Sequence, residues 1–233
     1  MRDDGVLVGL TCTGVHGELW LATAPGRESE LVPTLLAAAP AAHRVDVMSE
    51  QTALTAALGA AGWVHAHSVF ELDERLMAVP APQPVWPDGV ELHPVDLDRD
   101  AAAVHALVYE RARWAGVPGR VARALPGWLG FFEHEGFDAS LLLAAHRDGT
   151  PVGWANVRLL DSGAGYVQQL AVDEAERGRG LGRALLLEAL HRLRDRGADR
   201  LSLTVYAANE SALALYRSVG LAKVREQRVL SRP

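Results

Sequence analysis

The stretch YVQQLAVDEAERGRGLGRALLLEAL, residues 166–190, joins three backbone habits in one run. Its opening residues, with a tyrosine and valines bounded by Gly165 and Asp173, read as a strand. From Gly180 to Arg196 apolar residues return at helical spacing, with Leu186, Leu190 and Leu193 on one face. Between strand and helix stand Gly178, Gly180 and Gly182, interleaved with Arg177, Arg179 and Arg183. Glycine loses more conformational freedom on folding than any other residue, so this density exceeds what a turn requires. A strand that runs through glycines into a helix presents backbone N–H groups at a helix N-terminus, which suits phosphate. The plainer alternative is a tight turn with solvated arginines. No lysine follows the glycines, as a Walker loop needs, and the spacing is G-x-G-x-G instead of G-x-G-x-x-G. The next strand ends in Val205-Tyr206-Ala207 with no acid for a ribose, so neither nucleotide fingerprint is met.

Around this stretch the C-terminal part reads as alternating elements. Aspartates open an amphipathic helix over 96–116, and a short aromatic helix is expected around Trp128–Glu135. SLLLAAHRD and PVGWANVRLL form a hairpin across Asp148-Gly149, and GYVQQLAVD follows as a third strand. After the long helix come the strand DRLSLTVYA, the helix ANESALALYRSVG and the last strand AKVREQRVL. The order implies an α/β (α+β) class with a mixed, mostly antiparallel sheet flanked by helices. Upstream, Pro80, Pro82, Pro84 and Pro87 mark a semi-extended linker over 77–89, separating residues 1–76 from a domain over 90–233. Residues 1–76 repeat the later part of the plan: two strands, ELVPTLLAAAP as a helix, HRVDVM, a second helix to Gly62, and VHAHSVFEL.

Two elements together resemble a known family. Arg177-Gly178-Arg179-Gly180-Leu181-Gly182 is similar to the acyl-CoA signature of the GCN5-related N-acetyltransferases, Arg/Gln-x-x-Gly-x-Gly/Ala. Asn209, Ala212, Leu215-Tyr216 and Gly220-Leu221 match that family's second element at its usual separation. The resemblance spans roughly 90–233 and is strongest to tandem members of the mycothiol-synthase type, here with a degenerate first repeat. It implies that acetyl-CoA is the co-substrate and that no metal takes part. It implies that the strand before the turn splays after a bulge, so that backbone near Leu170, Ala171 and Val172 pairs with pantetheine and polarises the thioester. The turn from Arg177 to Arg183 would then hold the pyrophosphate. Tyr216, a phenol protonated at pH 7, is the expected proton donor to the departing thiolate. Asn209 is both the N-cap of its helix and an expected pantetheine contact.

The general base is left open. Many relatives carry a Glu where this chain has Tyr166, with Gln168 and Gln169 beyond, and none of these is a base at neutral pH. A water chain, the Asn209-Glu210 region, His134 and His146 are the alternatives. For the acceptor side, Trp114, Trp128, Phe131 and Phe132 are candidate pocket walls, with Tyr166 and Gln168 near them and Glu133 and Glu135 to attract a cationic amine. Core packing is the competing role for each aromatic. In the first repeat Val32 falls on Gly182 and Leu58 on Tyr216, so that half is expected to bind no acyl-CoA.

Bulk properties narrow the class. The 233 residues are 49% hydrophobic with a net charge of −6, concentrated in residues 1–85, while the remainder is neutral. No basic stripe supports nucleic-acid binding, and no apolar run is long enough to cross a membrane. Cys12 is the lone cysteine, and MRDDGVLVGL is not a signal peptide, so a reducing cytoplasm is expected. The resulting expectation is an N-acyltransferase acting on a small-molecule or peptide amine, as a monomer or homodimer. A non-catalytic acyl-CoA-binding module and a nucleotide-binding module are the other readings.

Overall fold

The computed structural model describes residues 2–3, 6–7, 9–13, 18–76, 78–79, 81–112, 123–133 and 137–232. Two compact units divide the chain: Met1–Glu71 with Val205–Ala208 and Lys223–Pro233, and Leu72–Thr204 with Asn209–Ala222.

The first unit begins with a two-residue ladder, β1 (Arg2–Asp3) against β2 (Val6–Leu7), followed by the hairpin of β3 (Gly9–Thr13) and β4 (Glu18–Thr23). Helix α1 (Glu28–Ala37) leads to β5 (Arg44–Met48), and α2 (Thr52–Ala60) leads to β6 (Val64–Arg75), whose last four residues lie in the second unit. Strand β5 alternates buried and half-buried residues; Val45 and Val47 face the helices and meet Val32, Leu36, Leu58 and Trp63 in one core.

In the second unit, β7 (Val90–His93) precedes α3 (Leu97–Ala106), whose N-cap Asp96 accepts from the N–H groups of Asp98 and Arg99. Of the helix expected over 96–116, Leu97–Ala106 is α-helical and then widens into a π turn over Leu107–Arg111, closed by Ala112 N–H on the Leu107 carbonyl at 2.7 Å; residues 113–116 lie outside the described residues. A short α4 (Leu125–Leu129) carries Pro126 in its first turn and buries Trp128. Strands β8 (Leu142–Arg147), β9 (Thr150–Leu159) and β10 (Gly165–Val172) form an antiparallel meander. The hairpin between the first two turns on Asp148 (φ 50°) and Gly149 (φ 75°), the paired positive angles of a type I′ turn. Helix α5 (Leu181–Asp195) buries Leu181, Leu185, Leu186 and Leu190 on the sheet. Strand β11 (Arg200–Tyr206), whose last two residues lie in the first unit, pairs parallel with β10, and α6 (Glu210–Ser218) follows. The strand order of this unit is β11-β10-β9-β8-β7, with the end of β6 beside β11. There Asp73 takes the Arg200 guanidinium at 2.7 Å.

The last strand, β12 (Ala222–Ser231), belongs to the first unit and pairs antiparallel with β5, from Gln227↔Met48 to Ser231↔Arg44. Its Leu230 lies opposite Val45 and enters the same core, so alternation along β12 matches the face that α1 and α2 cover. The proline-rich segment is tied along α5: Arg194 donates to the carbonyls of Leu76 and Val79, and the His191 ring lies 3.3 Å from the Pro82 carbonyl. Among the described residues no helix is long and apolar enough to cross a membrane.

Gly149→Ala places a Cβ on a left-handed residue and is expected to cost about 1 kcal/mol of stability. Urea denaturation checks this, and an unchanged midpoint refutes the turn assignment.

Candidate functional site

A cleft of ≈ 310 Å³ opens in the second unit where β10 leaves β11. Its walls are Leu170, Ala171 and Val172 of β10, Glu176, Arg177, Gly178 and Gly180 of the turn, and Leu181, Gly182 and Arg183 of α5. Asn209, Ser211, Ala212, Leu215 and Tyr216 close it from the α6 side, and Ala112 from the end of the π turn.

The opening follows from strand pairing. The β10–β11 ladder runs only through Gly165↔Leu201 and Tyr166↔Ser202. On the other side β10 keeps β9 to its end, with a bulge between Val167 and Gln169 that leaves Gln168 as the extra residue. Asp173 N–H donates to the Val152 carbonyl at 2.9 Å, which fixes the phase of that ladder. Alternation then turns the peptide groups of Gln169 and Ala171 toward β9, and those of Leu170 and Val172 toward the open edge. Of the three strand residues expected to meet pantetheine, these two offer an N–H and a carbonyl in the cleft. Ala171 contributes side-chain surface.

The glycine turn has separate reasons at each position. Gly178 (φ 76°) and Gly180 (φ 87°) adopt left-handed backbone that an L side chain disfavours. Gly180 is the N-cap of α5 and no side chain caps that helix, so its first-turn N–H groups lack partners from the helix and from a cap. Gly182 is helical, and a Cβ there would meet Leu215 Cδ2 at 3.4 Å and Val172 Cγ2 at 3.5 Å, both on cleft walls. These uncapped amides fit the phosphates of coenzyme A, and the open edge of β10 fits its amide-bearing arm.

Charge at the turn is largely organised by the protein itself. Glu176, 7% exposed, holds Arg147 through two contacts at 2.9 and 3.1 Å and Arg179 at 3.4 Å. Arg147 reaches on to the Asp88 carbonyl at 2.7 Å. The Arg147 guanidinium, more than any other group, keeps the Glu176 carboxyl below its ordinary pKa, so it is ionised at neutral pH. Arg111 anchors the entry to the turn, on Asp173 at 2.9 Å and the Pro151 carbonyl at 2.8 Å. Arg183 donates to the Ser218 carbonyl at 3.0 Å and hydroxyl at 2.8 Å, joining α5 to the end of α6.

On α6, the Asn209 side chain accepts from Ala212 N–H at 3.2 Å and from the Ser211 hydroxyl at 3.1 Å, the capping role its position implies. Tyr216 is 7% exposed and lines the cleft. Burial, with a smaller contribution from Tyr166, pushes its phenol up to about 12. It therefore keeps its proton throughout the range in which an enzyme works.

The acceptor-side candidates scatter. Trp128 is fully buried and Phe132 nearly so, in a cluster with Trp154 that packs under α3; both serve the core and neither lines the cleft. The Tyr166 hydroxyl lies 3.1 Å from Thr204 Oγ1, with the Arg158 guanidinium 5.9 Å from its ring centre. Gln168 is exposed at the bulge. His146 packs edge-on against His93, and burial lowers its pKa; it does not line the cleft. Trp114, His134, Glu135 and the Phe131 side chain lie outside the described residues. Glu176, Ser211 and Ala112 line the cleft without having been singled out, and Leu215, named with Tyr216 in the second family element, lines it too. Only Glu176 carried a signal, an acid directly before the glycines. Among the described residues no group of three His, Cys, Asp or Glu side chains could hold a metal ion.

A strand forced apart from its parallel neighbour, over a glycine turn and an uncapped helix, is the architecture of acyl-CoA-dependent acetyltransferases. The model of the Acetyltransferase (GNAT) family matches residues 106–221. The mycothiol acetyltransferase of Nocardia farcinica is 30% identical over 215 residues, 86% of this chain and 69% of that protein. That of Thermobispora bispora is 35% identical over 168 residues, 70% of this chain and 56% of that protein. The chain belongs to the GNAT family. It spans little more than half the length of several of these curated relatives. A GCN5-related N-acetyltransferase from Sphaerobacter thermophilus superposes with a TM-score of 0.77 at 22% identity, over 97% of this chain and 76% of that one. A tandem GNAT protein from the clavulanic acid biosynthesis pathway superposes with a TM-score of 0.70 at 15% identity, over 98% and 80%. These two likenesses concern the fold.

Gly182→Val, which copies the residue placed opposite it by the sequence reading of the first repeat, adds an isopropyl group beside Val172 and Leu215. Titration calorimetry with coenzyme A is expected to give an affinity loss of about a hundredfold. An unchanged Kd refutes the assignment of this turn to the cofactor.

Proposed function

We propose that the protein is an acetyl-CoA-dependent N-acetyltransferase whose acceptor is a small-molecule amine. The observation that carries this reading is the conjunction, in one cleft, of the open edge of β10, the uncapped α5 N-terminus and the Tyr216 phenol. Family membership and the curated relatives, each named mycothiol acetyltransferase, support it.

In this mechanism the uncapped amides of α5 hold the pyrophosphate, and the peptide groups of Leu170 and Val172 hold the arm and the thioester carbonyl. The neutral amine attacks the carbonyl carbon, and an aimed N–H stabilises the negative charge that develops on oxygen. The C–S bond breaks and the departing sulfur takes the Tyr216 proton, leaving an amide and the free thiol of coenzyme A. The attacking nitrogen gives up its proton to water, and the phenolate recovers one from solvent. Tyr216 stands at about 12, so the phenol holds its proton until the C–S bond breaks and does not release it ahead of the reaction.

We assign no cofactor site to the first unit. Val32 and Leu58, aligned with Gly182 and Tyr216, are fully enclosed in its core, and α1 begins a full turn before Val32. Their side chains serve packing.

Incubation of the protein with acetyl-CoA and a panel of primary amines, reading free thiol, tests the activity. Tight acetyl-CoA binding without thiol release from any amine would mean a binding module instead. Once an acceptor is found, Tyr216→Phe is expected to lower kcat by about a hundredfold and leave the acetyl-CoA Kd within about twofold. Unchanged turnover removes Tyr216 from the mechanism.

A further inference from the structure

Resting on that reading, we propose that Gln169 is a positioning residue: held by the indoles of Trp128 and Trp154, it fixes the strand after the bulge so that the Leu170 N–H meets the thioester carbonyl. Both indole N–H groups converge on one atom, the Gln169 Oε1, at 3.4 Å from Trp128 and 3.2 Å from Trp154. An indole nitrogen can only donate, so the side-chain amide has its oxygen inward by chemical necessity.

The location gives this contact its consequence. Gln169 is the first residue after the bulge and the last before Leu170. A bulge leaves one residue unpaired, and a slip by one would exchange the peptide groups that face β9 for those that face the cleft. With Gln169 opposite Asn156, the groups of Leu170 and Val172 face the open edge; with its neighbour Gln168 or Leu170 there, the groups of Ala171 would. The backbone pairing to β9 is compatible with either position of the bulge. The side chains are not, because Gln169 shares a sheet face with Trp154. On that face Ala171 lies opposite Trp154, and Trp128, Phe132 and Trp154 pack into one cluster. The opposite face carries Gly153, where a Cβ would come within 2.8 Å of Leu185 on α5. Two buried N–H donors that need an acceptor therefore select the register that aims the Leu170 N–H. Trp128, read from the sequence as a candidate pocket wall, acquires this part through Gln169 without touching substrate.

The test reads the carbonyl itself and needs no natural acceptor. Isotope-edited infrared spectra of [carbonyl-¹³C]acetyl-CoA bound to the wild-type protein should show the thioester band below its position in water, because the aimed donor polarises it. In Gln169→Leu the band should return toward the free position, and acetyl transfer to hydroxylamine should fall about tenfold while the acetyl-CoA Kd stays within about twofold. Gln169→Glu keeps an acceptor for both indoles and should retain the wild-type band and at least half of the rate. Gln169→Leu leaves two buried donors unmet, so Trp154→Phe serves if it folds poorly: one hydrogen bond is lost, the ring remains, and the band should move in the same direction by less. A Gln169→Leu or Trp154→Phe protein with the wild-type band and rate overturns the proposal. Failure of the wild-type protein to bind acetyl-CoA instead overturns the acetyltransferase reading, and this proposal with it.

Discussion

The site depends on one interruption of hydrogen bonding: β10 has a parallel partner for two residues and then none. Peptide groups are strong donors and acceptors, and a strand edge left open in the body of a domain demands a partner. The chain keeps that edge open by construction. The bulge at Gln168 adds twist, the ladder to β9 holds the other side to Val172, and α6 approaches with Tyr216 where β11 has moved away. A ligand with its own amide groups can enter as a strand would, which is why a long flexible cofactor arm suits this cleft.

The glycine turn is less a cluster of free positive charges than its sequence suggests. Arg183 is committed to Ser218, Arg179 to Glu176, and Glu176 chiefly to Arg147. A buried carboxylate beside an anion site would repel the ligand if it stood alone. Its bidentate partner cancels that charge and ties the turn to β8 and to the backbone at Asp88. In the proposed reading the attraction for phosphate rests on the uncapped amides of α5, which follow two left-handed glycines. Arg183 ties α5 to the end of α6.

The two units show how little of a shared plan is chemistry. Each has a hairpin, a helix, a strand and a second helix in the same order. In the first unit the helix positions that correspond to Gly182 and Tyr216 are occupied by Val32 and Leu58, both at 0% exposure. Both apolar side chains pack in the first unit's own core.

The turn, the capping Asn209, the hairpin at Asp148-Gly149 and the alternation of strands and helices were legible in the sequence, because each rests on local rules. Glycine permits positive φ, asparagine caps, and apolar spacing betrays the period of an element. Tyr216, picked out by its distance from the turn, lies on the cleft wall. What the sequence could not decide was where strands separate and which face a side chain takes. That β12 pairs with β5 depends on partners about 180 residues away. That Trp128 lies under the sheet instead of at a pocket wall depends on α3, α4 and Trp154 enclosing it together. The same holds for Gln169, one of two adjacent glutamines with identical local propensity. Only the packed sheet gives one of them two indole donors and leaves the other exposed at the bulge. Local chemistry settled which residues could form a cofactor turn. Long-range packing settled which peptide groups face it, because strand register is fixed by burial on a face and not by any single residue.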